Sequence, residues 1–120
     1  MKKTKPLTFL FLFSGSVFGD DLQDGLDAHT RGDYKTAYKL LAPLAEQGNA
    51  KAQYDLGQMY KRGEGVLQDY ALAHMWFNLC GASGDDEDCV ENRNRGEKKM
   101  TPSQIEKAQE MARNWKPKTI

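Results

Sequence analysis

The sequence has few of the residues from which sheets and catalytic centres are built. Beyond residue 19 it contains only two Val and two Ile, against eleven Ala and nine Leu, so it disfavours strands and favours helices. The 120 residues include just two Cys and two His. No hydrophobic run approaches the roughly 18 residues that a membrane span requires. These absences predict a single, small, all-α domain.

Charge of one sign is also absent, because 17 Lys and Arg are balanced by 17 Asp and Glu. Three of the lysines lie in the first 19 residues, which contain no acid, so the remaining chain carries 14 basic and 17 acidic residues. This balance excludes a strongly basic nucleic-acid-binding protein. The hydrophobic content of 39% is that of a globular protein and argues against a disordered one.

The first 19 residues have the order of a secretory signal peptide. Lys2, Lys3 and Lys5 precede an apolar stretch at residues 7–13, and small residues follow up to Gly19. The apolar stretch is too short for a membrane anchor, the alternative interpretation. We therefore expect cleavage after Gly19, no stable membrane insertion afterwards, and a periplasmic or secreted protein. In that oxidising compartment, Cys80 and Cys89 are expected to form a disulfide.

The rest of the chain repeats with a period of 36 residues. This offset superposes Asp33-Tyr34 on Asp69-Tyr70, Ala37 on Ala73, Leu41 on Phe77 and Gly48 on Gly84. A period between 20 and 50 residues is typical of a solenoid. Within each unit the apolar residues recur at helical spacing, so each unit is predicted to be a pair of helices.

Local signals predict where these helices begin and end. Asn49 and Asp69 precede two apolar runs and are predicted N-caps. The glycines of Gly63-Glu64-Gly65 suit the turn between the two helices, because glycine tolerates a positive φ angle. Gly57 lies inside a helix, where glycine is costly, so we expect a neighbouring helix to approach its backbone closely.

These residues together closely resemble the Sel-1-like repeat, a relative of the tetratricopeptide repeat. The resemblance is carried by Ala52, Leu56, Gly57, Tyr60, Gly63, Gly65, Val66, Asp69, Ala73, Trp76, Phe77 and Gly84. It implies an α/α hairpin solenoid that forms a right-handed superhelix of about six helices. It also implies a scaffold or adaptor for protein contacts. We expect a partial unit at residues 20–48, a complete repeat at 49–84, a degenerate unit ending in a short capping helix at 85–116, and a tail at 117–120.

The sequence departs from the family pattern after the complete repeat. The L-G-x-x-Y and G-x-G-V elements do not recur beyond Cys89, and Cys80 stands where the family usually has alanine. The Cys80 to Cys89 spacing is similar to that of cysteine-rich members, whose bridges link adjacent helices. A structural disulfide is therefore implied, since a C-x-x-C pair is absent and a zinc site lacks enough ligands.

Two further local signals concern the start of the last predicted helix and the interior of the helix predicted from Tyr34. Thr101 and Gln104 predict a capping box, with Pro102 at the first helical position. The helix that follows has an apolar face and is predicted to cap the solenoid. Pro43 lies within the helix predicted from Tyr34 and is expected to kink or break it.

Little in the sequence indicates chemistry. His29 and His74 have no evident catalytic partners and are predicted to be ordinary surface or boundary residues. There is no S-x-x-K motif, and no metal or cofactor is expected. The acids at residues 85–88 are predicted to favour a helix N-terminus. The basic residues Arg93, Arg95, Lys98 and Lys99 form either a solvated face or, alternatively, a patch for an anionic ligand.

The remaining candidate surface is the concave face, which in this family is lined by the first helix of each hairpin. The residues predicted to contact a partner there are Lys51, Tyr54, Asp55, Gln58 and Arg62, with Tyr54 and Arg62 the leading candidates. The sequence thus predicts a non-enzymatic protein that binds a protein or peptide in or outside the cell envelope. Two alternatives remain: a cell-wall or β-lactam hydrolase, like some cysteine-rich relatives, and an inhibitor or regulator of a peptidoglycan enzyme.

Overall fold

The computed structural model of the chain describes residues 20–82 and 86–119, and this part contains six helices and no strand. Helix α1 covers residues 20–30. The other helices are α2 (Tyr34–Glu46), α3 (Ala50–Arg62), α4 (Tyr70–Cys80), α5 (Glu87–Glu97) and α6 (Pro102–Asn114). The prediction of an all-α repeat solenoid is confirmed. The predicted signal peptide at residues 1–19 and the motif residue Gly84 lie outside the described residues.

The helices begin at the predicted capping residues. Asn49 accepts a hydrogen bond from the Ala52 amide at 2.9 Å, and Asp69 accepts one from Leu72 at 3.0 Å. Asp33 caps α2 in the same way, so the two aspartates that the 36-residue period superposes have one role. The repeat in sequence is therefore a repeat in structure.

The glycine turn and the last capping box also form as predicted. Gly63 and Gly65 adopt φ angles of 70° and 75°, in the left-handed region that suits glycine. Thr101 and Gln104 exchange backbone-to-side-chain hydrogen bonds at the start of α6. Both signals are local in sequence, which is why they could be predicted without knowledge of the packing.

Of the two outcomes expected at Pro43, a kink or a break, helix α2 excludes the break. It runs as one α-helix to Glu46, with Pro43 in its last turn. The ring removes only the donor to the Lys39 carbonyl, and both residues are exposed, so water can replace the missing hydrogen bond. A proline this close to the C-terminus does not end the helix.

The helices form two layers whose apolar residues meet in the core. Helix α3 packs on α2 and α4, and α4 packs in turn on α5 and α6. The buried core residues of the predicted motif are Ala52, Leu56, Ala73, Trp76 and Phe77, with Tyr60 and Val66 partly buried beside them. The first helices of the hairpins are α1, α3 and α5. A contact between His29 and Asp55 links α1 to α3, and a hydrogen bond from Lys61 to Asn92 links α3 to α5.

A disulfide joins Cys80 at the end of α4 to Cys89 in the first turn of α5, with their Cα atoms 6.0 Å apart. Both cysteines are buried. Asp86 accepts hydrogen bonds from the Asp88 and Cys89 amides, and Glu87 and Asp88 add negative charge to the first turn of α5. The predicted bridge and the capping role of this acidic segment are thus present.

The C-terminal segment contacts α4 and the end of α2. Trp115 packs against Trp76 with ring centroids 6.5 Å apart. Beyond it, the Lys118 amide donates to the Glu46 carbonyl at 2.7 Å and its Nζ pairs with the Glu46 carboxylate at 3.1 Å. The described part of the predicted tail therefore runs back to the end of α2.

Candidate partner-binding site

The five side chains predicted to meet a partner differ in exposure. Lys51 and Arg62 are exposed, while Tyr54 and Asp55 are half-buried. Gln58 is buried, with 7% of its surface exposed, which corrects the expectation that it faces outward. Helix α3 lies between other helices in the stack, so it buries more than one stripe, and Gln58 falls within the covered part.

Tyr54 is held in place by its neighbours on two sides. Its ring packs on Phe77 with centroids 5.9 Å apart, and its hydroxyl accepts a hydrogen bond from Gln58 Nε2 at 2.8 Å. Gln58 therefore acts on this surface through Tyr54. A fixed aromatic side chain loses little conformational entropy on binding, which favours it as an anchor for a partner.

Asp55 belongs to a charged cluster that the sequence did not reveal. His29 on α1 contacts Asp55 through Nδ1 at 3.0 Å and Glu64 in the α3–α4 turn through Nε2 at 2.9 Å. Burial raises the pKa of the Asp55 carboxyl, and the nearby His29 opposes this shift. The Glu64 carboxylate beside the Tyr34 hydroxyl raises the pKa of that tyrosine. His29 thus links two units through carboxylates and is more than an ordinary boundary residue.

His74 is also placed differently from the prediction. It lies in the interior with 2% of its surface exposed, and its Nε2 contacts Glu97 Oε2 at 2.7 Å. Its Nδ1 has no hydrogen-bond partner among the described residues. The contact joins α4 to the end of α5, whereas the disulfide joins α4 to the start of α5, so His74 adds a second link at the junction between units.

A groove crosses the first helices of all three units, and we call it the first-helix groove. Its lining residues are Leu26 of α1, Lys51, Tyr54 and Asp55 of α3, and Asp86 and Asp88 at the start of α5. Its volume is about 210 Å³. The structure thus brings three of the five predicted contact residues together, and it places Arg62 in a different groove.

The four basic residues predicted as a possible patch are divided among different surroundings. Arg93 turns toward α4 and donates to Asn78 at 3.1 Å, and Lys98 lines the outer face of α5. Arg95 and Lys99 line the groove that contains Arg62. Arg95 also pairs with Glu91 along its own helix. The patch therefore does not form as a unit, but part of it combines with the end of α3.

The described ranges contain neither a metal-ligand cluster nor a membrane-spanning helix. Residues 20–82 and 86–119 hold no group of three or more His, Cys, Asp or Glu side chains arranged for a metal ion. No helix in these ranges is both long enough and apolar enough to cross a bilayer.

Hairpins of helices stacked in tandem define a helical-repeat protein. The chain belongs to the Sel1 repeat family, whose sequence profile matches residues 22–49 and 50–85, more than half of the chain. This confirms the family indicated by the sequence motifs. Sel1 repeat proteins generally mediate protein–protein interactions and are typically non-enzymatic scaffolds.

One solved structure that is similar to the chain is c5321, described as a protective antigen present in uropathogenic Escherichia coli strains and displaying an SLR fold. The two share 31% sequence identity and superpose with a TM-score of 0.75. The match covers 82% of this chain but only 22% of c5321. A comparison with curated proteins gave no significant match.

Proposed function

We propose that the protein binds a protein or peptide partner in the first-helix groove and acts as a non-enzymatic scaffold outside the reducing cytoplasm. The observation that carries the proposal is the continuity of this groove across α1, α3 and α5. A partner seated there contacts all three units at once, which fits the general use of Sel1 repeats in protein–protein interactions.

The lining of the groove suits a polypeptide. Leu26 offers an apolar contact, Tyr54 a fixed aromatic ring, and Lys51 and Asp55 charges of both signs. Such a mixture is typical of interfaces, in which a few aromatic or cationic side chains carry most of the binding energy. Tyr54 is the proposed anchor because its position is set by Phe77 and Gln58.

The proposed compartment is supported by the covalent bridge and by the order of the N-terminal residues. A disulfide such as Cys80–Cys89 persists in the periplasm or outside the cell and is rare in the cytosol. The charged, apolar and small segments that end at Gly19 follow the order typical of a signal peptide. We therefore propose a periplasmic or secreted scaffold.

The test is site-specific photocrosslinking in the producing cell. A photoreactive residue replaces Lys51 in the groove or, as a matched control, Lys107, an exposed lysine on α6. We expect a discrete crosslinked partner from position 51 and none from position 107, and the substitution Lys51→Glu should weaken capture of that partner. Equal crosslinking at both positions would contradict the proposed surface. Turnover of a β-lactam or cell-wall substrate by the purified protein would contradict the non-enzymatic role.

A further inference from the structure

A second groove, the basic groove, lies where α3 and α5 end side by side. Four cations line it, namely Lys61, Arg62, Arg95 and Lys99, together with Gln68 and Tyr70. Its volume is about 460 Å³, and no acidic residue is among the described residues that line it. It gathers positive charge on a chain whose overall balance is neutral.

The nearest acids on α5 are not among the residues that line the groove. Glu97 turns inward to the buried His74, and Glu91 pairs with Arg95 along the outer side of the helix. Lys61 donates to Asn92 Oδ1 at 3.1 Å, a neutral acceptor. Burial and then the nearby Arg62, Arg95 and Lys99 lower the pKa of Lys61. The cations repel one another, and a bound anion would relieve this repulsion.

The groove also presents an oriented hydroxyl. Gln68 Nε2 donates to the Lys61 carbonyl at 2.8 Å and to the Tyr70 hydroxyl oxygen at 3.2 Å. Because the Tyr70 oxygen accepts this hydrogen bond, its own hydrogen can be donated to a ligand. Gln68 therefore holds Tyr70 as a donor beside the four cations.

Gly96 keeps the groove open. It lies within α5, where glycine weakens a helix, yet a β-carbon placed on it would meet no atom within 4 Å. Packing therefore does not require glycine at this position, in contrast to Gly57. A longer side chain here would extend into the basic groove, of which Gly96 is a lining residue.

We infer that the basic groove binds an acidic segment of the protein partner, with its carboxylates paired to Arg62 and Lys99. The inference rests on the proposed scaffold function and names the chemistry of the partner. Arginine forks match carboxylates in planar, two-bond geometry. The volume is more than tenfold the ~30 Å³ share of one water molecule, so a lone inorganic ion leaves most of the groove to solvent, whereas a peptide segment fills it.

The test is fluorescence anisotropy with a labelled hexaglutamate peptide and the oxidised protein. We expect saturable binding that weakens with added salt, and no binding of a labelled hexalysine peptide. The double variant Arg62→Glu/Lys99→Glu should weaken binding by at least about tenfold. The matched control, Lys35→Glu/Lys107→Glu, makes the same charge change on α2 and α6 and should bind like the wild type.

A second variant separates blocking of the groove from loss of charge. Gly96→Gln places a neutral side chain in the groove without a buried clash, so it should weaken peptide binding while the midpoint of thermal unfolding is no lower than that of the wild type. Wild-type affinity in Gly96→Gln or in the double charge variant overturns the inference, as does displacement of the peptide by an equal concentration of inorganic phosphate. If any of these results is obtained while crosslinks at position 51 persist, only the acidic-segment inference fails. If the peptide binds but no partner is captured, the scaffold function fails and the basic groove stands.

Discussion

Phe77 of α4 covers the bare backbone of Gly57 on α3. A β-carbon at Gly57 would come within 2.5 Å of the Phe77 ring, closer than any real contact allows. Leu41 lies over Gly25 in the preceding unit with the same consequence, at 2.6 Å. The 36-residue period superposes Leu41 on Phe77. In both hairpins, therefore, this equivalent side chain of the second helix packs against a glycine of the first helix.

Gly57→Ala should destabilise the protein. The added methyl group forces the buried Phe77 ring to move at a cost of about 1–3 kcal/mol, which outweighs the gain in helix propensity of up to about 1 kcal/mol. Urea unfolding followed by circular dichroism measures the difference. Gly96→Ala is the matched control and should be as stable as the wild type or more so, because nothing lies near that position. A Gly57→Ala variant as stable as the wild type would show that the close approach is unimportant.

The disulfide should contribute about 2.7 kcal/mol to the free energy of unfolding, because it closes a loop of about ten residues in the unfolded chain. The measurement compares unfolding by urea with and without a reductant. The double variant Cys80→Ala/Cys89→Ala is the control, and its stability should not respond to the reductant. An intact mass showing two free thiols in protein purified under non-reducing conditions would contradict the bridge.

Replacement of His29 by Gln should raise the pKa of Asp55 further, since His29 opposes the effect of burial on that carboxyl. A pKa above the ordinary value of 3.8 means that the folded state holds the proton more tightly than the unfolded chain does. The contribution of Asp55 to stability is then complete below pH 3.8 and is lost as the pH rises through the raised pKa. An NMR titration of the Asp55 carboxyl carbon reports both effects, with Lys107→Gln as an unaffected control. A lower pKa in His29→Gln would reverse our account of the cluster.

Trp115 should matter more than Lys118 for attachment of the C-terminal segment. Trp115 is half-buried against Trp76, so Trp115→Ala should cost about 2 kcal/mol, roughly half the value for a fully buried aromatic. The side chain of Lys118 is 70% exposed and its ion pair with Glu46 is screened by solvent, so Lys118→Ala should cost less than about 1 kcal/mol. Thermal unfolding of the two variants compares the effects directly, and equal losses would argue against packing as the main contribution.

Much of the fold could be predicted because its signals are local. The caps at Asn49 and Asp69 depend on residues within one turn, and the helical stripes depend on spacing alone. The need for a close contact at Gly57 could be predicted from the cost of glycine in a helix. Its partner could not, because Phe77 is 20 residues away in the sequence and only the hairpin brings the two together.

The site was less predictable because it depends on contacts between units. Glu64 is 35 residues from His29, so no helical spacing relates the two. The exposed side of α3 was inferred from a single apolar stripe, but a helix inside a stack is covered on several sides, and Gln58 is buried for that reason. The basic groove likewise combines the ends of α3 and α5, which lie far apart in the chain.

The Cys80–Cys89 bridge also limits how far α5 can move from α4, on which α3 packs, and both the first-helix groove and the basic groove lie between α3 and α5. While the bond is intact, the last hairpin cannot slide away from its neighbour, and a ligand meets the residues of α3 and α5 at one fixed separation. After reduction, only non-covalent contacts such as His74 with Glu97 hold that distance. Redox conditions are thereby a variable in every affinity measured for this molecule.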